Sequence, residues 1–132
     1  MFKGTITNAT TVEADVNIPL TVQYNTNGNT SYSSAADAIL IKKPGFYDVE
    51  AQFVLTDVAA GDVSVQMFAD GNPIPEAIAT GTSSATTNFI TLPLTDKFRV
   101  VATSLPEHAR LSFRTSVAAT IDAGVVTIER VR

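Results

Sequence analysis

Apolar and polar side chains alternate along most of this chain with a period of two, which is the pattern of strands that bury one face. The clearest run is 46–55, where five apolar residues share one face: Tyr47, Val49, Ala51, Phe53 and Leu55. Asp48, Glu50 and Gln52 lie on the opposite face together with Phe46. No window of ten or more residues carries an apolar stripe at helical spacing. The pattern therefore predicts an all-β protein.

Turn residues separate the predicted strands at regular intervals. Asp70-Gly71 follows the strand that ends at Ala69, and this pair favours a two-residue type I′ hairpin. Further strands are predicted over 18–24, 88–94, 98–103, 109–117 and 125–131, with a turn at 121–124. About eight to ten antiparallel strands at such spacing predict a jelly-roll β-sandwich, although strand count alone leaves another β-sandwich open.

The first fifteen residues are the least patterned part of the sequence. We therefore expect 1–15 to be an N-terminal arm or a first strand, and 16–132 to form a single jelly-roll domain. A poorly patterned segment around 5–15 is a candidate for docking the domain to a larger particle.

The spacing of residues between Thr21 and Ala51 resembles the signature of the C1q domain, within the C1q/TNF-like jelly-roll superfamily. The motif positions are occupied by Asn27, Tyr32, Ile39, Gly45, Tyr47 and Val49. Thr21 and Ala51 depart from the signature, which has aromatic residues there. The C-terminal stretch 126–131 is similar to the closing strand of bacterial and phage C1q-like domains. The resemblance implies a C1q/TNF-like jelly roll that forms a homotrimer.

Three phenylalanines lie on the more polar faces of their predicted strands and are candidates for the trimer interface. They are Phe46, Phe68 and Phe89. Large apolar groups on a solvated face indicate contact with another subunit, although single exposed aromatic residues are also common.

The amino-acid composition argues against disulfides, metal sites and several kinds of catalytic site. The 132 residues include no cysteine and one histidine, so disulfides and transition-metal sites are not expected. A Ser-His-Asp triad would need His108, but the sequence has no Gly-x-Ser-x-Gly motif. Asp57, Asp62 and Asp70 do not reproduce a calcium-binding loop. Asp48 and Glu50 share a strand face, but such a pair of carboxylates is usually only part of the solvated face. We therefore predict no catalytic residue, no metal and no cofactor.

Charge and hydropathy limit the partners. The net charge is −4 and the basic residues are scattered, which argues against nucleic acid. No apolar run has the length of a signal peptide or a membrane span, so no membrane partner is expected.

These features favour a non-enzymatic, trimeric component of a bacteriophage virion, made in the host cytoplasm. Its place would be as a capsid decoration, head fibre or tail accessory, with capsid or other virion proteins as partners. The alternative is a carbohydrate- or receptor-binding module. The polar loops 25–34 and 81–88 would then contact a host-surface glycan.

Overall fold

The computed structural model describes residues 1–26, 28–85, 88–103 and 108–131. That part of the chain contains eleven strands and no helix. In chain order they are β1 (Phe2–Ile6), β2 (Thr10–Val12), β3 (Thr21–Asn25), β4 (Thr30–Ser33), β5 (Ala38–Ile41), β6 (Gly45–Thr56), β7 (Gly61–Ala69), β8 (Asn72–Ser83), β9 (Ile90–Val100), β10 (Ala109–Thr115) and β11 (Ala119–Arg130). None of the described segments is a helix long and apolar enough to cross a membrane.

The strands form two antiparallel sheets that pack face to face. The six-stranded sheet has the order β3-β1-β11-β6-β9, with β2 also paired to β11. The five-stranded sheet has the order β4-β5-β10-β7-β8. Strands far apart in sequence are neighbours in both sheets, as the crossovers of a jelly roll require. The fold is therefore the all-β jelly-roll sandwich that the alternating pattern predicts.

The core lies between the sheets and is built from the inward positions of each strand. Every second residue of β6 from Tyr47 to Leu55 is buried, and the residues between them are exposed or half-buried. The rings of Phe53 and Phe113 meet across the core with centroids 5.6 Å apart. This packing explains why a period of two runs through the sequence.

The hairpin between β7 and β8 has the predicted turn. Asp70 and Gly71 have φ angles of 52° and 81°, and a type I′ turn requires positive φ at both central residues. The prediction from the Asp-Gly pair is confirmed.

Two boundaries predicted from sequence are wrong. The stretch 121–124 is not a turn, because it lies inside β11 where a bulge shifts the register between Ile121 and Ala123. The separate strands predicted over 88–94 and 98–103 are one strand, β9. Continuous pairing of β9 with β6, from Gly45–Val100 to Leu55–Ile90, carries the strand through its polar middle.

The N-terminal residues are part of the sandwich. β1 lies between β3 and β11, and Phe2 is fully buried. Only three residues of the next segment, β2, pair with β11. The segment 1–15 therefore contributes two strands to the six-stranded sheet.

The sandwich has two ends, which matter for the surfaces described below. At the Gly45 end, β6 begins while β9 and β11 finish. This end also carries the connection 42–44 and the 70–71 hairpin. The opposite end, the Thr56 end, carries the connection 57–60, the end of β8 and the start of β9.

Candidate interaction surface

The solvent-facing side of the six-stranded sheet has a centre without charged side chains. Register places Gln52 of β6 beside Val125 of β11 on one side and Pro93 of β9 on the other. The next outward row pairs Val54 with Ala123. We call these five residues the central face. Their inward neighbours Ala51, Phe53 and Val126 are buried, so the central face points away from the core.

Two open depressions of about 220 and 270 Å³ lie on the central face, and both are lined by Gln52 and Val125. Thr95 and Thr127 line the second depression together with Glu50, the first charged residue toward the Gly45 end. A sheet surface whose centre carries no charged side chain suits contact with another protein surface, because charge is depleted at interface cores.

The residues that match the C1q signature, and that the structure describes, have structural roles. Ile39 and Val49 are core residues with about 1% exposure. Gly45 has a φ of 146°, a conformation that side-chain-bearing residues rarely adopt. Asn27 lies outside the described residues.

Tyr32 links β4 to the segment before β3. Its hydroxyl accepts a hydrogen bond from the Leu20 backbone N–H at 2.8 Å and donates to the Asp37 carboxylate at 3.3 Å. Its ring stacks on Phe2 with centroids 6.5 Å apart. Burial raises the pKa of the Tyr32 hydroxyl, and the Leu20 N–H opposes that rise. The residue holds two connections together and is not poised for acid–base chemistry.

Tyr47 anchors the connection 42–44 at the Gly45 end. Its ring is fully buried and its hydroxyl donates to the backbone carbonyl of Lys43. Arg130 donates to the neighbouring carbonyl of Pro44 from Nε at 3.1 Å and from Nη2 at 3.0 Å. Burial raises the pKa of the Tyr47 hydroxyl, and the positive charge of Arg130 acts in the opposite direction. Both side chains therefore fix the loop.

The three phenylalanines proposed from sequence lie on three separate surfaces. Phe46 is 44% exposed at the Gly45 end of the six-stranded sheet, where the Arg99 guanidinium carbon lies 5.8 Å from its ring centroid. Phe68 is half-buried on the five-stranded sheet, beneath Arg114 at 4.3 Å. Phe89 is 66% exposed at the Thr56 end. The fold does not bring them into one patch.

The histidine and the three aspartates considered for catalysis or calcium binding are also dispersed. The His108 ring accepts a hydrogen bond from the Thr103 backbone N–H at 3.0 Å. The Asp57 carboxylate accepts from the Thr120 hydroxyl at 2.8 Å, and the Asp62 carboxylate accepts from the Thr82 hydroxyl at 3.2 Å. These two aspartates lie at the Thr56 end, whereas Asp70 lies at the Gly45 end. The described residues hold no group of three or more potential metal-binding side chains.

A cleft of about 510 Å³ lies between the edge strands β8 and β9, and its lining includes Asp48, Glu50, Glu76 and Asp96. Asp96 occupies an inward position, on the face of β9 that carries Leu92 and Leu94. Its buried Oδ2 atom has no hydrogen-bond partner among the described residues. Burial raises the pKa of this carboxyl, and the negative charge of Glu76 adds to the rise. Asp96 was not expected from the sequence, because the predicted strand 88–94 ends before it and the next begins at Phe98.

The two polar loops considered for glycan binding are far apart. β3 ends and β4 begins at the Gly45 end, whereas β8 ends and β9 begins at the Thr56 end. Residues 27, 86 and 87 of the predicted loops 25–34 and 81–88 lie outside the described residues. The Asn25 side chain is already engaged with Thr30, through 2.6 and 3.1 Å hydrogen bonds to its carbonyl and hydroxyl. The described residues of the two predicted loops therefore do not form one sugar site.

The topology and the packing of the two sheets define a TNF-like jelly roll. No family model and no curated protein matches the chain. Among solved structures, Eiger TNF from S. frugiperda is similar with a TM-score of 0.71 and 11% identity, over 99% of this chain and 95% of that chain. Murine APRIL at pH 5.0 is similar with a TM-score of 0.69 and 9% identity, over 96% and 98% of the two chains. At these identities the likeness establishes the fold alone.

Proposed function

We propose that this chain is a non-enzymatic presentation module that forms a homotrimer through the central face. We further propose that the trimer is carried on a bacteriophage virion, as a capsid decoration, head fibre or tail accessory. Its direct partners would then be two copies of itself and a capsid or other virion protein.

The uncharged central face is the observation that carries the self-association. Charged side chains lie on the same sheet nearer the Gly45 end, where Asp48 pairs in register with Lys97 and Glu129. Depletion of charge at the centre of a patch, with a charged border, is characteristic of interface cores. The stoichiometry of three comes from the resemblance to C1q/TNF-like domains. Homo-oligomers with closed symmetry are the usual outcome of such association.

A charge placed in the central face tests this interface. Val125→Glu is expected to convert the trimer into a monomer, because three buried carboxylates would meet uncharged surface. Leu40→Glu is the matched control, since Leu40 is also half-buried on an inner strand but lies on the outward face of the five-stranded sheet. Solution mass by light scattering distinguishes the two variants.

A second variant tests the same face with a smaller change in structure, in case the first variant misfolds. Gln52→Glu changes no shape at an exposed position of the central face and is expected to weaken the trimer at neutral pH. A trimer that survives both central-face variants, or that is lost equally in Leu40→Glu, would show that another surface mediates association.

The virion assignment rests on the resemblance of 126–131 to the closing strand of bacterial and phage C1q-like domains, together with the resemblance of 21–51 to the C1q domain signature. An antibody against the chain is expected to label purified particles in a fixed ratio to the major capsid protein. Absence of the chain from particles, with the trimer intact in solution, would remove the virion role and leave the presentation module.

A further inference from the structure

The Gly45 end of the sandwich carries an exposed apolar cluster. Phe46, Val101 and Val131 are 44%, 57% and 53% exposed. The Val131 backbone N–H donates to the Phe46 carbonyl at 2.8 Å, so these two residues are adjacent. Val101 directly follows the residue that pairs with Gly45. A concavity of about 300 Å³ opens here, lined by Phe46, Tyr47, Lys97 and Val131.

Arg99 and Lys97 border this cluster, and two further lysines lie on the connection at the same end. Arg99 lies over the Phe46 ring, and Lys97 occupies the next outward position of β9. Lys42 and Lys43 are exposed on the connection that Tyr47 and Arg130 anchor. We call the three apolar residues together with these four cations the rim patch. Asp48 and Glu129 pair in register with each other beside Lys97. Lys97 also lines the cleft that contains Glu50, Glu76 and Asp96.

Charged residues are unevenly distributed between the two ends of the molecule. The chain has a net charge of −4, yet five of its nine lysines and arginines gather here when Arg130 is included. Six carboxylates lie toward the opposite end, as the strand registers and loop connections show: Glu13, Asp15, Asp37, Asp57, Asp62 and Asp122. Six other described carboxylates lie in the same half as these cations, so that half is close to neutral while the opposite end is acidic: Asp48, Glu50, Asp70, Glu76, Asp96 and Glu129. The exposed apolar residues therefore lie at the less acidic end of the molecule.

We propose that the rim patch binds an acidic polypeptide segment, with one apolar side chain of that segment seated on Phe46 and Val131. Carboxylates on either side of this side chain would face Lys43, Lys97 and Arg99. Complementary charge and an apolar anchor in a concave site are the combination that gives specific protein recognition.

The size of the site favours a polypeptide over other anions. A concavity of about 300 Å³ accepts a side chain and its immediate neighbours. A sulfated glycan offers no apolar group for Phe46 and Val131. An anionic membrane would require a wider apolar surface for stable insertion than three residues supply.

The rim patch is separate from the central face. Phe46 lies six residues before Gln52 on β6, about 20 Å away at the rise of an extended strand. The proposal therefore does not depend on trimer formation, and each can fail without the other.

The test uses a labelled synthetic peptide in which glutamates flank a central leucine–phenylalanine pair. Fluorescence anisotropy is expected to detect binding to the full chain, with affinity that falls as salt rises. Replacing the apolar pair with serines should weaken binding about fivefold, because the anchor is lost.

Variants locate the binding on the protein. The double change Lys42→Glu and Lys43→Glu should weaken the peptide about tenfold by reversing the local charge. Phe46→Ala should weaken it about fivefold through loss of the anchor contact. Phe89→Ala is the matched control, since this exposed phenylalanine lies at the opposite end, and Lys3→Glu controls for a cation elsewhere on the sheet.

Three results would overturn the proposal. The first is no binding of the acidic peptide at millimolar concentration by a folded chain. The second is binding that Phe46→Ala and Phe89→Ala reduce equally. The third is stronger, patch-dependent binding to heparin or to phosphatidylglycerol vesicles, which would assign the patch to a different class of partner.

Discussion

Asp96 is a carboxylate in a position where the fold places apolar side chains, so its replacement should stabilise the protein. The inward face of β9 carries Leu92 and Leu94 before it and Phe98 after it. The carboxylate receives a hydrogen bond from the Lys97 backbone N–H, but its buried Oδ2 atom has no partner in the described part of the chain. Asp96→Asn keeps the shape and removes the charge.

Asp96→Asn leaves an uncharged polar group in the same place, so the expected gain at neutral pH comes from removing the buried charge and its repulsion with Glu76. Asp96 is only half-buried, so solvent screens this penalty and the expected gain is about 1 kcal/mol. For a domain of this size, that gain corresponds to a rise in Tm of about 3–5 °C.

The pH dependence identifies the cause. Because the folded-state pKa of Asp96 is raised, the charged carboxylate destabilises the fold above that pKa, and the penalty disappears below the unfolded value near 3.8. Asp96→Asn should therefore gain stability at pH 7 and match the parent protein at pH 3. Urea unfolding at both pH values measures this difference.

Glu50→Gln is the control, since Glu50 lines the same cleft from an exposed position. It should change the free energy of unfolding by less than about 0.5 kcal/mol. A loss of stability in Asp96→Asn at pH 7, or a gain of equal size at both pH values, would refute the reasoning.

Two further substitutions test how the core and the loop are held. Gly124→Ala should destabilise the fold by about 1–3 kcal/mol, because an added Cβ would lie 2.9 Å from the ring of Phe53. Gly28→Ala, with no atom within 4 Å of the added Cβ, should be nearly neutral in the same urea titration. Tyr47→Phe should cost about 1 kcal/mol through loss of the hydrogen bond to Lys43, measured by thermal unfolding. An unchanged Tm would show that this bond does not stabilise the loop.

The alternating pattern predicted the fold because burial of one face leaves a period of two in the sequence. It located β6 within about one residue at each end, from 46–55 to Gly45–Thr56. It failed where polar residues occur within a paired strand. The bulge at Asp122 resembles a turn, and the polar segment around Asp96 resembles a break.

The surfaces were less predictable, because strand order assembles them from distant parts of the chain. The central face combines β6, β9 and β11, and the rim patch joins Lys42 and Lys43 to Arg99 and Val131. The alternating pattern shows Phe46 as an apolar residue on the polar face of its strand, but it does not show which residues lie next to it. It also grouped Phe46 with Phe68 and Phe89, which the fold separates.

The mass of the unmodified chain in solution tests the central claim, that this jelly roll assembles through the central face. Size exclusion with light scattering is expected to give about three times the 14.0 kDa chain mass, independent of salt because the face is uncharged. A mass of one chain at micromolar concentration would contradict a self-sufficient trimer. A solution mass of two chains would contradict the threefold arrangement.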